Sequence, residues 1–360
     1  MRVDLIALRE LGDSEVGAWR ELADRAVEPN PFGEPEFVLP CAATLEPRRA
    51  YLLRIADGPD WLASLPVCRT RRWRGIPAPA VVAWRHLYSC LDTPLVDRDR
   101  GTEAVSALLD WIAADRDAAF MVLEQLGGDG PVASLLGDAL ADRGGRTARP
   151  VRSARAALRR RPDDDYIDVG VKHRREWRRQ RRRLESLLGA DPVTEDRAGA
   201  PGAVADFLRL EASGWKGRAG TAFASVPGHG ELFERLCESF GERGRLQLLT
   251  LEAGGRPLAM KCNFVAGEAI FCFKIAFDDS LAKYSVGMQL EIDNVSWFHV
   301  RTDAAWMDSC ADPENAMINR LWPDTRTVEA LLLPASPLRG RLVASGVAAA
   351  AALRSLRGTA

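Results

Sequence analysis

Apolar and polar positions along this chain follow two rhythms, one of period 2 and one near 3.6, and their order occurs twice. In the first half a short strand over Val3–Leu8 precedes a helix from the capping Ser14 to Ala26. The run NPFGEPEF breaks the chain, and a second short helix follows over Phe37–Leu45. Alternating runs at Arg48–Ala56 and Trp61–Arg69 flank Asp57-Gly58-Pro59-Asp60 and predict a hairpin. A strand over Val81–Tyr88, a helix over Thr102–Asp115, a strand over Phe120–Leu126, a helix over Val132–Arg143 and a strand near Thr147–Ala154 complete this half.

The second half repeats the order without repeating the residues. A strand near Val193–Glu195 leads to helices over Ala203–Ser213 and Glu231–Gly241. Strands over Arg245–Glu252 and Arg256–Val265 meet at Gly254-Gly255, and a third covers Ala269–Phe277. A helix over Gly287–Val300, a strand over Ala304–Asp308, a short helix near Glu314–Asn319 and a strand over Thr327–Leu333 follow. Such alternation predicts an α/β fold with a mixed sheet and helices on both faces in each half. The polar, Pro-containing segment Arg159–Asp165 reads as the hinge. The expected domains are therefore 1–160 and 161–340, with an Ala-rich, helix-prone tail over 341–360.

Composition narrows the partners more than the fold. A chain of 360 residues, 47% hydrophobic and 28% charged, can supply two cores. Its net charge of −1 provides no global field toward nucleic acid or membrane, so any polyanion contact needs a local patch. The seven cysteines form no C-x-x-C pair and the four histidines are scattered, which predicts a reducing, cytoplasmic setting and no metal. The N-terminus MRVDLIALRELGDSE is acidic and lacks the apolar core of a signal peptide. No apolar run of about 18 residues predicts a membrane span.

Several clusters carry candidate chemistry. In Lys172–Glu185, eight Lys/Arg fall within residues 172–183 on a helical pattern marked by Trp177 and Leu184. That density suits phosphates of RNA, of a nucleotide-linked substrate or of a nucleotide carrier. It also suits a solvated helix neutralised by Asp163–Asp165, Glu176 and Glu185. Tyr284-Ser285-Val286-Gly287-Met288 opens a helix after three strands, where unpaired N–H groups favour an anion; the plainer reading of Ser285 is an N-cap. Strict alternation puts Cys272, Lys274 and Ala276 on one face of their strand, and a lysine in such a run needs a partner. Asp308, ending a neighbouring strand, is the expected partner, as an acid/base couple or a structural salt bridge. Glu211 to Arg218 ends a helix in a Gly-rich loop, where Trp215 offers a stacking face and Lys216 and Arg218 offer charge. His86 and Tyr88 form a polar-aromatic cluster on a strand-like run, with His86 titratable near neutrality or simply structural.

FLRLEASGWKGRAGTA, the β-runs to KYSVGMQL and the closing AAWMDSC together resemble the second module of the CelD-like and FemABX-like acyltransferases, a branch of the GNAT superfamily. The chain shares Tyr-Ser-x-Gly at 284–287 with the CelD-like pattern but lacks the usual Gln/Arg-x-x-Gly-x-Gly/Ala loop. The resemblance implies tandem GNAT-like folds and N-acyl transfer from acyl-CoA, as co-substrate, to a small-molecule or sugar-linked amine. It implies catalytic roles for Lys274, Asp308, Glu211 and His86, and carrier binding at Tyr284, Ser285, Val286, Gly287 and Met288. Trp215, Lys216, Arg218 and Tyr88 would shape the acceptor pocket. The same resemblance admits an aminoacyl-tRNA donor gripped by Lys172–Arg183, or a non-catalytic module of polysaccharide or envelope biosynthesis.

Overall fold

The computed structural model describes residues 1–45, 50–75, 77–144, 148–161 and 171–335, with 171 and 172 described by their backbone alone. Most of the expected hinge, and the expected tail over 341–360, lie outside the described residues. In chain order the first elements are β1 (Arg2–Ala7), α1 (Asp13–Asp24), α2 (Pro35–Thr44), β2 (Tyr51–Asp57), β3 (Asp60–Thr70), β4 (Ala80–Ala83), β5 (Leu95–Val96), α3 (Gly101–Ala114), β6 (Phe120–Gly127), α4 (Pro131–Asp142) and β7 (Ala148–Arg159). Then come α5 (Val171–Leu188), β8 (Val193–Asp196), α6 (Ala203–Ser213), α7 (Trp215–Arg218), α8 (His229–Glu242), β9 (Leu246–Ala253), β10 (Arg256–Ala266), β11 (Ala269–Phe277), α9 (Val286–Arg301), β12 (Trp306–Asp308), α10 (Ala316–Leu321) and β13 (Asp324–Pro334).

Among the described residues two compact units result: one from Met1–Ala154 together with Thr327–Ala335, and one from Arg155–Arg326. The sequence placed the division at 160/161. It falls earlier because β7 runs up to the first residue of the expected hinge, and its residues Ala157–Arg159 pair with β12 of the second unit. Conversely, Val328–Pro334 of β13 pair with β6 of the first unit. Backbone pairing, which leaves no composition signal, sets the boundary.

Each unit has a mixed sheet of one plan. The first runs β1-β2-β3-β4-β6-β13, with β5 on β3, and the second runs β8-β9-β10-β11-β12-β7. Neighbours pair antiparallel except β4 with β6 and β11 with β12, which are parallel. The repetition read from the sequence is thus present, and in both units a helix connects the two parallel strands, as a crossover must. The β9–β10 turn sits at Gly254 and Gly255, whose φ values of +57° and +78° suit the paired left-handed positions of a tight hairpin.

Packing follows the patterns that predicted it. On α8, Leu232, Phe233, Leu236, Cys237 and Phe240 recur at helical spacing and are all buried. They join Phe207, Phe223, Phe264 and Phe273 on one face of the second sheet. On the other face Ile270, Cys272 and Met307 pack against Val295 and Phe298 of α9. Among the described residues no helix is long and apolar enough to cross a membrane.

One expected strand is shorter than predicted. β4 stops at Ala83, not Tyr88, and His86–Ser89 form a turn closed by Ser89 N–H on His86 O at 3.1 Å. Asp92 takes over, its carboxylate accepting the N–H groups of Glu124 and Gln125 on β6 at 2.7 and 2.8 Å. The β6 amides that a longer β4 would engage are thereby satisfied.

Candidate active site

β11 organises the second unit's site. It pairs with β10 along its length, but with β12 only where Ala269, Ile270 and Phe271 meet Trp306, Met307 and Asp308. From Cys272 to Phe277 it continues with no strand on its β12 side among the described residues, an edge that an extended ligand can pair with. Along this stretch Asn263 opposes Cys272 and Cys262 opposes Lys274, so Phe273 is the extra residue of a β-bulge. The strict alternation expected from the sequence fails here. Cys272 packs on the α9 side, whereas the Lys274 ammonium lies 5.3 Å from the Phe223 ring centre and 5.4 Å from that of Phe273.

At the far end of this edge stands the start of α9. Ser285 occupies the N-cap position with φ +54° and ψ +44°, and its side chain makes no capping bond. A non-glycine residue held there is uncommon and costs roughly 1 kcal/mol or more, so the simple-cap reading does not account for it. Gly287 closes the corner: a Cβ on it would lie 3.1 Å from Cδ1 of Phe277, the last residue of β11. Helix geometry leaves the N–H groups of Val286, Gly287 and Met288 without intrahelical acceptors. The carbonyl of Tyr284 accepts the Gln289 amide at 2.8 Å, which fixes the turn. All five residues expected to bind the carrier therefore lie at one helix start beside the open edge.

The expected Lys274–Asp308 ion pair is replaced by another. Asp308 is fully buried, and its Oδ2 accepts Arg155 at 2.6 Å and Arg326 at 3.0 Å while Oδ1 takes the Cys310 N–H at 2.9 Å. Burial works against its charge, but the two guanidinium groups outweigh it and hold the carboxyl below the usual range. Arg326 also lies 4.8 Å over the Trp306 ring. Glu211 is likewise committed: its carboxylate accepts Lys216 Nζ at 3.0 Å and the Phe223 N–H at 2.8 Å. Lys216 donates in addition to the Ile275 carbonyl on β11 at 2.7 Å, so the pair clamps the loop to the bulged strand. Trp215, 51% exposed, and Arg218, paired with Asp279 at 2.6 Å, sit on the short helix α7 rather than in an open loop.

Sequence reasoning missed a buried polar network on the α9 face. Lys261 of β10 donates to Glu291 at 2.6 Å. Glu291 also accepts Trp322 at 3.1 Å and Asn294 at 3.0 Å, and Asn263 donates to Asn294 at 3.0 Å. Burial opposes the Lys261 charge, yet Cys272 and Glu291 outweigh it and its pKa rises, while burial pushes the Cys272 thiol up to about 12. The rule applied to Lys274, that a lysine inside an apolar strand needs a partner, would have found Lys261 in LAMKCNFV.

In the first unit His86 packs against Phe37, Trp84 and Tyr88. Burial, assisted by the Arg85 charge, lowers its pKa to about 4. It is a neutral ring in an aromatic cluster, not the base near neutrality that was expected, and Tyr88, 5% exposed, offers little to a substrate. The basic segment is a helix as predicted. Leu184 of α5 is fully buried, Trp177 and Leu188 are half-buried, and Arg181 pairs with Asp293 of α9 at 3.0 Å. No cluster of three or more His, Cys, Asp or Glu side chains placed to hold a metal occurs among the described residues.

The second of the two mixed-sheet units thus has a bulged fourth strand that parts from the fifth before a glycine-containing helix start. Residues 171–293, in the second unit, match the family described as acetyltransferase (GNAT) domain, which supports acyl transfer as that unit's chemistry. Among solved structures it is similar to FemX, at 12% identity over 93% of this chain and 97% of that one, with a TM-score of 0.55. It is also similar to a conserved protein of unknown function from Bacteroides thetaiotaomicron, at 12% identity over 92% and 99%, with a TM-score of 0.57. At such identity the likeness is one of fold. A search of curated proteins found no match.

Proposed function

We propose that this protein transfers an acyl group from an acyl-CoA thioester to an amine by direct attack, in the manner of the CelD-like branch and in the cytoplasm. The carrying observation is the edge of β11 from Cys272 to Phe277, which carries no neighbouring strand on its β12 side among the described residues, holds Lys216 on its Ile275 carbonyl, and ends at the α9 start. An extended pantetheine arm can hydrogen-bond along that edge, and the N–H groups of Val286–Met288 then receive the pyrophosphate. The bulge at Phe273 turns backbone N–H toward the acyl carbonyl, where it stabilises developing negative charge, with Lys274 beside it. The amine attacks the carbonyl carbon, the C–N bond forms, and the C–S bond breaks. CoA leaves as a thiolate, and the proton lost by the amine balances the one the thiolate takes up. Trp215 and Arg218 are the groups of α7 available to an acceptor such as a small or sugar-linked amine. Glu211, Lys216 and Asp308 hold the site's shape.

A second reading, an aminoacyl-tRNA donor, is favoured by the basic surface of α5. Thermal unfolding with CoA, acyl-CoAs or aminoacyl-tRNA separates the two, since a ligand at 100 times its Kd stabilises by about 2.7 kcal/mol. Stabilisation by aminoacyl-tRNA and none by CoA would reverse the order.

A further inference from the structure

Beside the α9 start lies an open groove of about 710 Å³ whose walls come from α5 and from Lys283-Tyr284. Its cations are Arg179, Arg182, Arg183 and Lys283, against the single carboxylate of Glu176. That carboxylate is taken by Arg179 at 2.7 Å. Among the described residues Arg183 and Lys283 form no ion pair, and the Lys283 ammonium rests 5.0 Å from the centre of the Tyr284 ring. Leu187, 54% exposed, adds an apolar patch to the same lining.

The arrangement is not an incidental consequence of a basic helix. α5 directly precedes β8, the first strand of the second unit's sheet. Its packing stripe, Trp177, Arg181, Leu184 and Leu188, fastens it to the α9 side and so fixes which arginines face the groove. Gathering four cations around one carboxylate costs repulsion unless an anion is bound, and the Tyr284 ring and Leu187 supply flat apolar surface that a base can cover. A phosphomonoester with an attached nucleoside meets both halves of the lining, and 710 Å³ lies within the range of small-ligand sites.

Building on the acyl-CoA reading, we propose that this groove binds the adenosine 3′-phosphate end of the donor, as a subsite separate from the α9 start that faces the pyrophosphate. Arg182, Arg183 and Lys283 grip the 3′-phosphate, and Tyr284 and Leu187 border the adenosine. The donor is then chosen by its nucleotide end, and carriers lacking the 3′-phosphate are disfavoured.

The test compares CoA with 3′-dephospho-CoA by calorimetry on the full chain, unmodified and as Arg182→Ala/Arg183→Ala, with adenosine 3′,5′-bisphosphate as a third probe. CoA is expected to bind the unmodified protein about 10–100-fold tighter than dephospho-CoA, the range that charged hydrogen bonds to one phosphate supply. In the double variant that preference disappears, dephospho-CoA affinity is unchanged, and the bisphosphate no longer binds. The variant's fold is checked by its circular dichroism, and Arg183→Lys is expected to restore part of the preference. Equal affinity for CoA and dephospho-CoA in the unmodified protein overturns the subsite while leaving the thioester donor in place. Failure of both to bind overturns the donor reading and the subsite with it. Salt-steep binding of tRNA abolished by the same double variant assigns the groove to RNA instead.

Discussion

Replacing Asp308 by Asn separates a structural carboxylate from a catalytic one. The substitution keeps the side chain's shape and an acceptor oxygen but removes the charge. Arg155 and Arg326, each 5% exposed, would then share a buried site with no anion between them, since both direct their guanidinium at the same oxygen, Oδ2. Removing one partner of a buried ion pair costs roughly 3–5 kcal/mol, and two stranded cations put Asp308→Asn at the upper part of that range. The acid limb should change as well. A carboxyl held below its unfolded pKa stabilises the fold above that value and loses the contribution as pH falls through the folded pKa. The variant should lose this part of the acid sensitivity. Urea unfolding followed by circular dichroism reads both effects, with midpoint and slope compared at pH 7 and at pH 3–4. Adding Arg326→Met to Asp308→Asn removes one stranded cation and should recover part of the loss. Asp308→Asn within about 0.5 kcal/mol of the unmodified protein, with transfer abolished, would refute the structural assignment and restore Asp308 to the chemistry.

Two further predictions use other buried groups. Lys261→Met strands the fully buried Glu291 and should cost about 3–5 kcal/mol, with Lys261→Met/Glu291→Gln less destabilised than the single change; a neutral single variant would show that the network contributes little. His86, lowered to about 4, favours folding fully above pH 6.5, and that contribution of about 3 kcal/mol is lost as pH falls toward 4. His86→Gln should remove this slope. Burial raises Asp92 to about 6, and its effect has the opposite sign, with stability lost as pH rises through 6. Identical pH profiles for variant and unmodified protein would count against the His86 assignment.

Local patterns carried most of the fold. The alternation in β9 and β10 with Gly254-Gly255 between them, and the α8 spacing, specify hairpin and helix from neighbours in sequence. What escaped is non-local. β7 continues through a segment rich in arginine because Ala157–Arg159 find β12 nearly 150 residues later, and β13 pairs back to β6. No window of sequence records such pairings. The candidate site divides along the same line. That Tyr284–Met288 open a helix after the strands was legible because glycine, position and helix start are local features. The partners of Asp308 were not, because Arg155 and Arg326 reach it from two distant strands. The Phe273 bulge was illegible for a related reason: an extra residue is visible only against the register of β10, and it moves Lys274 to the face opposite Cys272.

The central claim is that the donor lies along the Cys272–Phe277 edge of β11 and ends at the α9 start. Hydrogen–deuterium exchange with and without saturating CoA tests it most directly, because it reads backbone amides at that edge without knowledge of the acyl group or acceptor. The account predicts slowed exchange in peptides covering Cys272–Phe277 and Tyr284–Met288, with peptides of β1–β3 unchanged. CoA binding with no protection in those two segments, or protection confined to other parts of the chain, would contradict it.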